Sequence, residues 1–281
     1  MIPRGPDHRT GPDSPPSGGG GGAAGNRFDR WAEIYDRWVA SAPICEQHPR
    51  FYVPLYTGTE GPVVELGVGN GRLVLEAARR GRSMIGVDSS PAMLDICSRR
   101  AAEEGLSEHV TLVEGDFRDF RLPEPATLIA IPFHSIGHLI SLEEKRVAIH
   151  HIYDVLAPGG RLVFDHFVYD PAYAEKHEGI QTLRDIHRRE GGGTSYLWVS
   201  VRSSPAEQRM EIICVEDRAT ASGRVEERTI RELEFSWIDP AQSRALLGEC
   251  GFEIEEAFGG FDRSPLTEES PTQVWVARKP G

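Results

Sequence analysis

The segment Val64-Glu65-Leu66-Gly67-Val68-Gly69-Asn70-Gly71 constrains this chain more than any other. An apolar run over 62–66 enters three alternating glycines, and a helical pattern follows over 73–80, stopped by Gly81. Glycine reaches backbone dihedrals closed to other residues and lets a ligand approach with no Cβ in the way. The helix behind the turn offers its unpaired N–H groups to whatever lies there. A strand, a glycine turn and a helix in this order predict a ligand site at the carboxyl end of the strand.

The alternation continues along the chain. Short apolar runs over 83–87, 110–113, 127–132 and 161–167 read as strands. Ser89 or Ser90 can cap a helix over 92–104, with Pro91 suited to its first turn. A further helix is expected over 142–156, before the turn Ala157-Pro158-Gly159-Gly160. Strands alternating with helices call for a mostly parallel sheet wound on both faces. Past about residue 190 the texture changes, and 194–201, 209–219 and 224–237 read as successive strands. Asp239-Pro240 then opens a helix closed by Gly251, and 252–257 with 273–277 supply a last strand pair. The expected architecture is a doubly wound, seven-stranded, Rossmann-like α/β sheet. It carries an antiparallel insertion on the substrate side over about 180–237, and its ligand-binding core spans about 60–168.

Two features precede the first strand. Phe28, Trp31, Ile34, Tyr35 and Trp38 recur at the three- and four-residue spacing of an amphipathic helix. Ahead of them, residues 1–26 are rich in Pro, Gly and Ser and include the run Gly18 to Gly22. Such a segment has too little apolar surface to offset its backbone entropy, so a disordered tail is expected before a single domain over 27–281.

Charge and cysteine usage narrow the partners. With 31 basic and 43 acidic residues the formal charge is −12, which disfavours nucleic acid, because a phosphate backbone is gathered by a cationic face. Cys45, Cys97, Cys214 and Cys250 are scattered, with no C-x-x-C pair and no zinc-finger spacing to histidine. No apolar run approaches the roughly 20 residues that cross a bilayer, and the N-terminus has no signal-peptide core. A cytoplasmic protein with no membrane partner and no metal is expected.

The glycine turn is spaced G-x-G-x-G, whereas the dinucleotide fingerprint is G-x-G-x-x-G. Glu65, two residues before the first glycine, is placed to receive an ammonium group or to order the loop. Asp88 ends the second strand, where a carboxylate can accept both ribose hydroxyls, a feature shared with nicotinamide-binding folds. Asp116-Phe117 after the third strand fits an adenine site, with the carboxylate accepting from the amino group and the ring stacking nearby.

These residues resemble motif I and the following motifs of the class I methyltransferases that use S-adenosylmethionine (SAM). The match runs through Glu65 to Gly71, Val87-Asp88 with Ser89-Ser90-Pro91-Ala92-Met93-Leu94, Gly115-Asp116-Phe117 and Leu156-Ala157-Pro158-Gly159-Gly160-Arg161-Leu162, in register over residues 63 to about 167. The resemblance implies the methyltransferase form of the fold and SAM as cofactor. It implies that Glu65, Gly67 and Gly69 line the methionine end of the donor and that Asp88 holds the ribose. Met93 would pack on the adenine, which Asp116 and Phe117 would bracket. Asn70, Gly71, Ser89 and Phe133 complete the expected cofactor contacts.

The acceptor side is read from Ile131-Pro132-Phe133-His134-Ser135-Ile136-Gly137-His138. It lacks the Asn/Asp-Pro-Pro-Tyr/Phe box of enzymes that methylate DNA bases and protein amides. Ser135-Ile136-Gly137-His138-Leu139 is instead similar to bacterial deoxyaminosugar N,N-dimethyltransferases, which sit in a wider group with glycine N-methyltransferase. The same group has a Tyr-Asp pair in its N-terminal helix, matched by Tyr35-Asp36. That resemblance implies that Tyr35 closes over the donor and substrate and that His138 orients or deprotonates the nucleophile; His134 and His166 are further substrate-side candidates. The acceptor is expected to be an amine or hydroxyl of a small molecule, in bacterial secondary metabolism. A nicotinamide-dependent oxidoreductase and a non-catalytic SAM-binding protein stay open as alternatives. A homodimer through the strands of 194–237 is also open.

Overall fold

Both faces of the central strands are apolar, so both must be covered by helices. The computed structural model describes residues 28–40, 42 and 44–281; the tail expected over 1–26 lies outside the described residues. Three helices come first: α1 (Asp29–Ala32), α2 (Tyr35–Ala40) and α3 (Ile44–Gly58). The alternating series is β1 (Val63–Leu66), α4 (Arg72–Ala78), β2 (Met84–Asp88), α5 (Pro91–Glu103), β3 (Val110–Glu114), β4 (Ala126–Ile131), α6 (Leu142–Val155) and β5 (Leu156–Phe167). An inserted region follows, with α7 (Pro171–His177), β6 (Thr182–Arg188), β7 (Thr194–Ser204), β8 (Arg209–Ala219) and β9 (Val225–Ser236). The chain returns through α8 (Pro240–Glu249), β10 (Glu253–Phe258) and β11 (Thr272–Arg278).

The main sheet has seven strands in the order β10-β11-β5-β4-β1-β2-β3, parallel from β5 to β3 and antiparallel at β11 and β10. Val64, Leu66, Ile129, Ile131 and Phe164 face Ile149 and Ile152 of α6 and Leu246 and Leu247 of α8. Val63, Leu128, Ala130 and Val163 face the other way, onto Tyr52 and Tyr56 of α3 and Leu73 and Val74 of α4. This is the doubly wound sheet expected from the alternation.

Several elements differ from expectation, among them α7 and β6, which the sequence reading did not include. The turn 157–160 lies inside β5: the pairing with β4 jumps from Ala126↔Leu156 to Leu128↔Arg161, and Gly159 takes φ +78° in the bulge. Lys279 of the last strand's end closes it, accepting from Gly159 N–H at 2.9 Å and donating to Gly160 O at 2.8 Å. Helix α3 was not anticipated, because Pro49 and Pro54 lie inside it. Proline removes the N–H that would bond four residues back. The carbonyl so released by Pro49 is that of Cys45, and Arg72 donates to it at 3.3 Å. The amphipathic pattern from Phe28 folds as two short helices, with Trp31 and Ile34 both buried.

The insertion forms a second sheet of order β6-β7-β8-β9, antiparallel throughout. Its inner residues Leu197, Val199 and Cys214 pack on Trp31 and Ile34, with Met93 of α5 in the same cluster. Helices α1 and α2 are therefore wedged between the second sheet and the helix that follows β2. Glu216, 2% exposed, anchors the wedge by accepting from Arg37 at 2.8 Å and from Ser195 at 2.7 Å. Among the described residues no helix is long and apolar enough to cross a membrane.

Candidate active site

The three glycines divide two tasks. All have positive φ, +70°, +54° and +88° at Gly67, Gly69 and Gly71, a region open to glycine. A Cβ on Gly67 would stand 3.0 Å from Ser135 Oγ and 3.3 Å from the Phe117 ring. One on Gly71 would meet Cys97 Sγ at 2.4 Å. Gly67 thus keeps the floor of a cavity clear, while Gly71 lets α4 close against α5.

The cavity, about 420 Å³, lies over the carboxyl ends of β1 to β4. Of the residues singled out in the sequence, Tyr35, Gly67, Gly69, Asp88, Ser89, Met93, Asp116, Phe117 and His138 line it. Asp88 joins the strand tip to the glycine turn, its Oδ2 accepting from Gly69 N–H at 2.8 Å and its Oδ1 from Ser90 N–H at 2.9 Å. Burial pushes the Asp88 carboxyl up, against those N–H bonds. Burial likewise raises the Tyr35 phenol far above its ordinary range.

Several lining residues were not anticipated. Arg118 grips Asp116 with two bonds of 2.7 and 2.8 Å and reaches Glu144 at 3.1 Å. Glu144 is the third residue of α6 and completes its capping box with Ser141. The Ser141-x-x-Glu144 spacing signals the cap, but only the fold brings it to Arg118. Phe28, Leu139 and Ile140 add an apolar wall, with Ser135 beside it.

The remaining candidates lie outside the lining. Glu65 is buried beneath the turn and accepts from the Tyr56 hydroxyl at 2.8 Å. Burial pushes its carboxyl up to about 7, with the Tyr56 bond opposing. Asn70 donates to Asp36 at 2.5 Å. Phe133 and His134 occupy a turn in which both backbone N–H groups donate to Asp165. His166 has no exposed surface, and its Nδ1 accepts from Phe167 N–H at 3.0 Å. Its proton is therefore on Nε2, which donates to Ser236 O at 3.1 Å. With both nitrogens engaged, His166 joins β5 to β9 and has none left for an acceptor.

His138 sits at the meeting point of the two sheets. Its ring is edge-on to Phe28 at 4.7 Å and to Phe235 at 4.9 Å. Gly137 makes that fit possible, since a Cβ there would be 2.3 Å from the Phe235 ring. Ser236 Oγ lies 3.1 and 2.8 Å from the carbonyls of Gly137 and Leu139, which take its hydroxyl proton between them. Buried Lys145 donates to Ser236 Oγ at 2.6 Å and to Leu139 O. Burial pushes its ammonium down to about 8.

The N-terminal helices form the roof. Ser90 donates to Asp29 at 2.6 Å, and Asp36 takes Asn70 and Arg100. In the Tyr35-Asp36 pair, the tyrosine faces the cavity and the aspartate fastens its helix to the glycine turn and α5. Among the described residues no three His, Cys, Asp or Glu side chains gather as a metal-binding group. The arrangement offers carboxylates at two adjacent strand tips, a Cβ-free floor and an aromatic roof. It suits an elongated ligand with hydroxyl and amino donors.

Comparison with known proteins gives the same direction. Residues 63–160 match the family model described as methyltransferase domain. An uncharacterized methyltransferase of Geobacillus kaustophilus is 31% identical over 174 residues, 58% of this chain and 73% of that protein. The CcbJ methyltransferase from Streptomyces caelestis has a TM-score of 0.74 at 23% identity, covering 92% of this chain and 99% of the other. A SAM-dependent methyltransferase from Clostridium acetobutylicum gives 0.73 at 14% identity, covering 91% and 100%. The sugar N-methyltransferase KedS8 from Streptoalloteichus gives 0.69 at 18%, covering 98% and 100%. At these identities the structural likeness carries the fold, and it extends beyond the seven-stranded core.

Proposed function

This chain belongs to the methyltransferase family, with S-adenosylmethionine as its methyl donor, and from that premise we propose that it methylates an amine or hydroxyl of a small molecule. One observation carries the reading. The glycine floor, the Asp88 and Asp116 tips and the Tyr35 roof enclose a single cavity of about 420 Å³. When bound, the donor supplies a methyl group on a sulfonium, open to in-line displacement.

The chain's own residues divide the work. Asp88 accepts the ribose hydroxyls, with lone pairs left beside its two N–H bonds. Met93 and Phe117 enclose the adenine, and Asp116, oriented by Arg118, faces its amino edge. Gly67 and Gly69 pass the methionine end toward Glu65, whose charge receives the ammonium. Asn70, Gly71 and Ser89 set the shape of the turn, and Phe133 backs it through Arg72, whose guanidinium lies 5.5 Å above its ring. Tyr35 and Phe28 exclude water, and His138 orients the nucleophile.

The acidic chain and the absence of a base-gripping box favour a small acceptor over nucleic acid. The sugar N-methyltransferase named above makes an amino sugar a first acceptor class to try. The chain acts in the cytoplasm in this reading, and β6, with exposed Leu183 and Ile186, is the edge offered for a homodimer. Calorimetric titration with SAM is the test, expected to give micromolar binding. A screen of amines, amino sugars and hydroxyl compounds with labelled donor follows. No binding of SAM or S-adenosylhomocysteine, or a thermal shift with NADH alone, would end the proposal.

A further inference from the structure

Helix α2 meets three parts of the molecule through three consecutive side chains. Successive helical residues diverge by about 100°, so three in a row face three directions. Tyr35 lines the cavity, and its ring lies over Gly69, where a Cβ would stand 3.9 Å from a ring carbon. Asp36 reaches the glycine turn and α5, accepting from Asn70 at 2.5 Å and from Arg100 at 3.3 Å. Arg37 reaches into the second sheet. Its Nε donates to Asp185 of β6 at 2.7 Å, and its Nη1 donates to Ser195 of β7 at 3.1 Å and to Glu216 of β8 at 2.8 Å. One guanidinium thus holds three of the four strands.

Glu216 is the centre of this anchorage. It is 2% exposed, and the oxygen that takes Arg37 also accepts the Ser195 hydroxyl at 2.7 Å. Its other oxygen accepts from both Nη atoms of Arg231 on β9 at 3.4 Å. Arg231 in turn donates through Nε to the carbonyl of Arg30 in α1 at 2.6 Å. Burial opposes a charge on Glu216, but Ser195, Arg37 and Arg218 outweigh it and hold the carboxyl below its usual range. Neither Arg37 nor Glu216 lines the cavity. Helix α2 has six residues, and isolated helices below about 12 residues are marginal. Its place over the cavity is therefore inherited from the groups that flank it.

We infer that Arg37 and Glu216 are positioning residues that set donor affinity from outside the cavity, by seating α2 so that Tyr35 stays over the glycine floor. The inference rests on the methyltransferase reading above. With the pair intact, the roof is in place before the donor arrives. Without it, α2 keeps Asp36 but loses its hold on the second sheet. Apparent affinity then falls with the fraction of chains in which the roof is seated. The next residue of β8 supplies a matched comparison. Asp217, 7% exposed, holds Arg228 through bonds of 2.6 and 2.8 Å on the opposite face of the strand.

Calorimetric titration of the full chain with SAM is the test, alongside hydrogen exchange over Tyr35–Ala40. Glu216→Gln and Arg37→Met should each weaken SAM binding roughly tenfold. The double variant should bind no more weakly than either single one, because both remove the same contact. Arg37→Lys, which keeps the charge, should recover part of the affinity. Asp217→Asn should bind SAM as the native chain does, although it gives up a comparable ion pair. Exchange over α2 should be faster in Glu216→Gln before SAM is added and near native at saturation. Should Glu216→Gln not fold, Arg37→Met and Arg37→Lys carry the comparison at a side chain that is 19% exposed. Native affinity in the Arg37→Met and Glu216→Gln variants, or an equal loss in Asp217→Asn, overturns the inference. A native chain that takes no SAM ends the methyltransferase reading and this inference together. Native binding with unaffected variants ends this inference alone.

Discussion

Asp88 Oδ2 accepts the backbone N–H of Gly69 at 2.8 Å, so the tip of β2 holds the glycine turn of β1 in place. The carboxylate proposed to receive the ribose also shapes the glycine floor of the cavity. Shape and recognition are coupled through one side chain.

Asp88→Asn tests that coupling. An amide can offer its oxygen to only one of the two N–H donors, and its NH2 group faces the other. A charge-assisted bond contributes about 1.5 to 3 kcal/mol, so SAM affinity should fall roughly 10- to 100-fold. Calorimetry on folded variant protein checks this.

The glycines should respond differently from one another. Gly71→Ala sets a Cβ against Cys97 Sγ at φ +88°, and overpacking with backbone strain should destabilise the chain by about 2 to 4 kcal/mol. Gly67→Ala puts its methyl near Ser135 and Phe117 on the cavity floor, so SAM affinity should drop about tenfold or more. Urea unfolding and SAM titration on both variants separate the two effects.

Glu65 should make donor binding depend on pH. Burial raises its carboxyl from the ordinary 4.5 to about 7 in the folded chain. The folded state therefore holds its proton more tightly than the unfolded state, and the stability this gives is full below pH 4.5 and lost as pH rises through 7. Under the proposed role of Glu65, donor binding should run the opposite way, because only the ionised carboxylate attracts an ammonium. SAM affinity should weaken from pH 8 to pH 6, and Glu65→Gln should bind weakly with that part of the pH dependence removed. Titrations at both pH values decide it.

Lys145 should leave its mark at alkaline pH. Its folded pKa of about 8 lies below the ordinary 10.5, so between these values the unfolded chain binds a proton that the folded chain does not. Stability attributable to this group should rise with pH across that window, by on the order of 2 kcal/mol. Lys145→Met should remove the rise while Ser236 keeps its bonds to Gly137 and Leu139. Urea unfolding of both proteins at pH 8 and pH 10 makes the comparison.

Much of the main sheet was legible because its strands are short apolar runs between glycine, serine and proline signals. Helix α3 was not, since a local reading treats Pro49 and Pro54 as breakers while the fold supplies Arg72 to the carbonyl that Pro49 leaves. The site divides in the same way. Residues at strand tips, such as Asp88 and Asp116, reach the cavity directly. Asn70 and His166 carry the right chemistry in the right stretches, yet each is taken by a partner far along the chain, Asp36 and Ser236. Arg118 and Glu144 show no pattern of their own and meet only when the loop after β3 lies against the start of α6.

The amino-acid pattern alone specified the alternating core from β1 to β5, the glycine turn and the residues at the strand ends. These follow from backbone preference and apolar periodicity, which act over a few residues. Tertiary structure alone decided which polar groups face the cavity and which are spent inside it, because a buried donor or acceptor must find a partner and that partner is set by packing. Asp165 shows the distinction: its identity is local, but its bonds come from Tyr52 and the turn at Phe133 and His134, which the fold brings to one carboxylate.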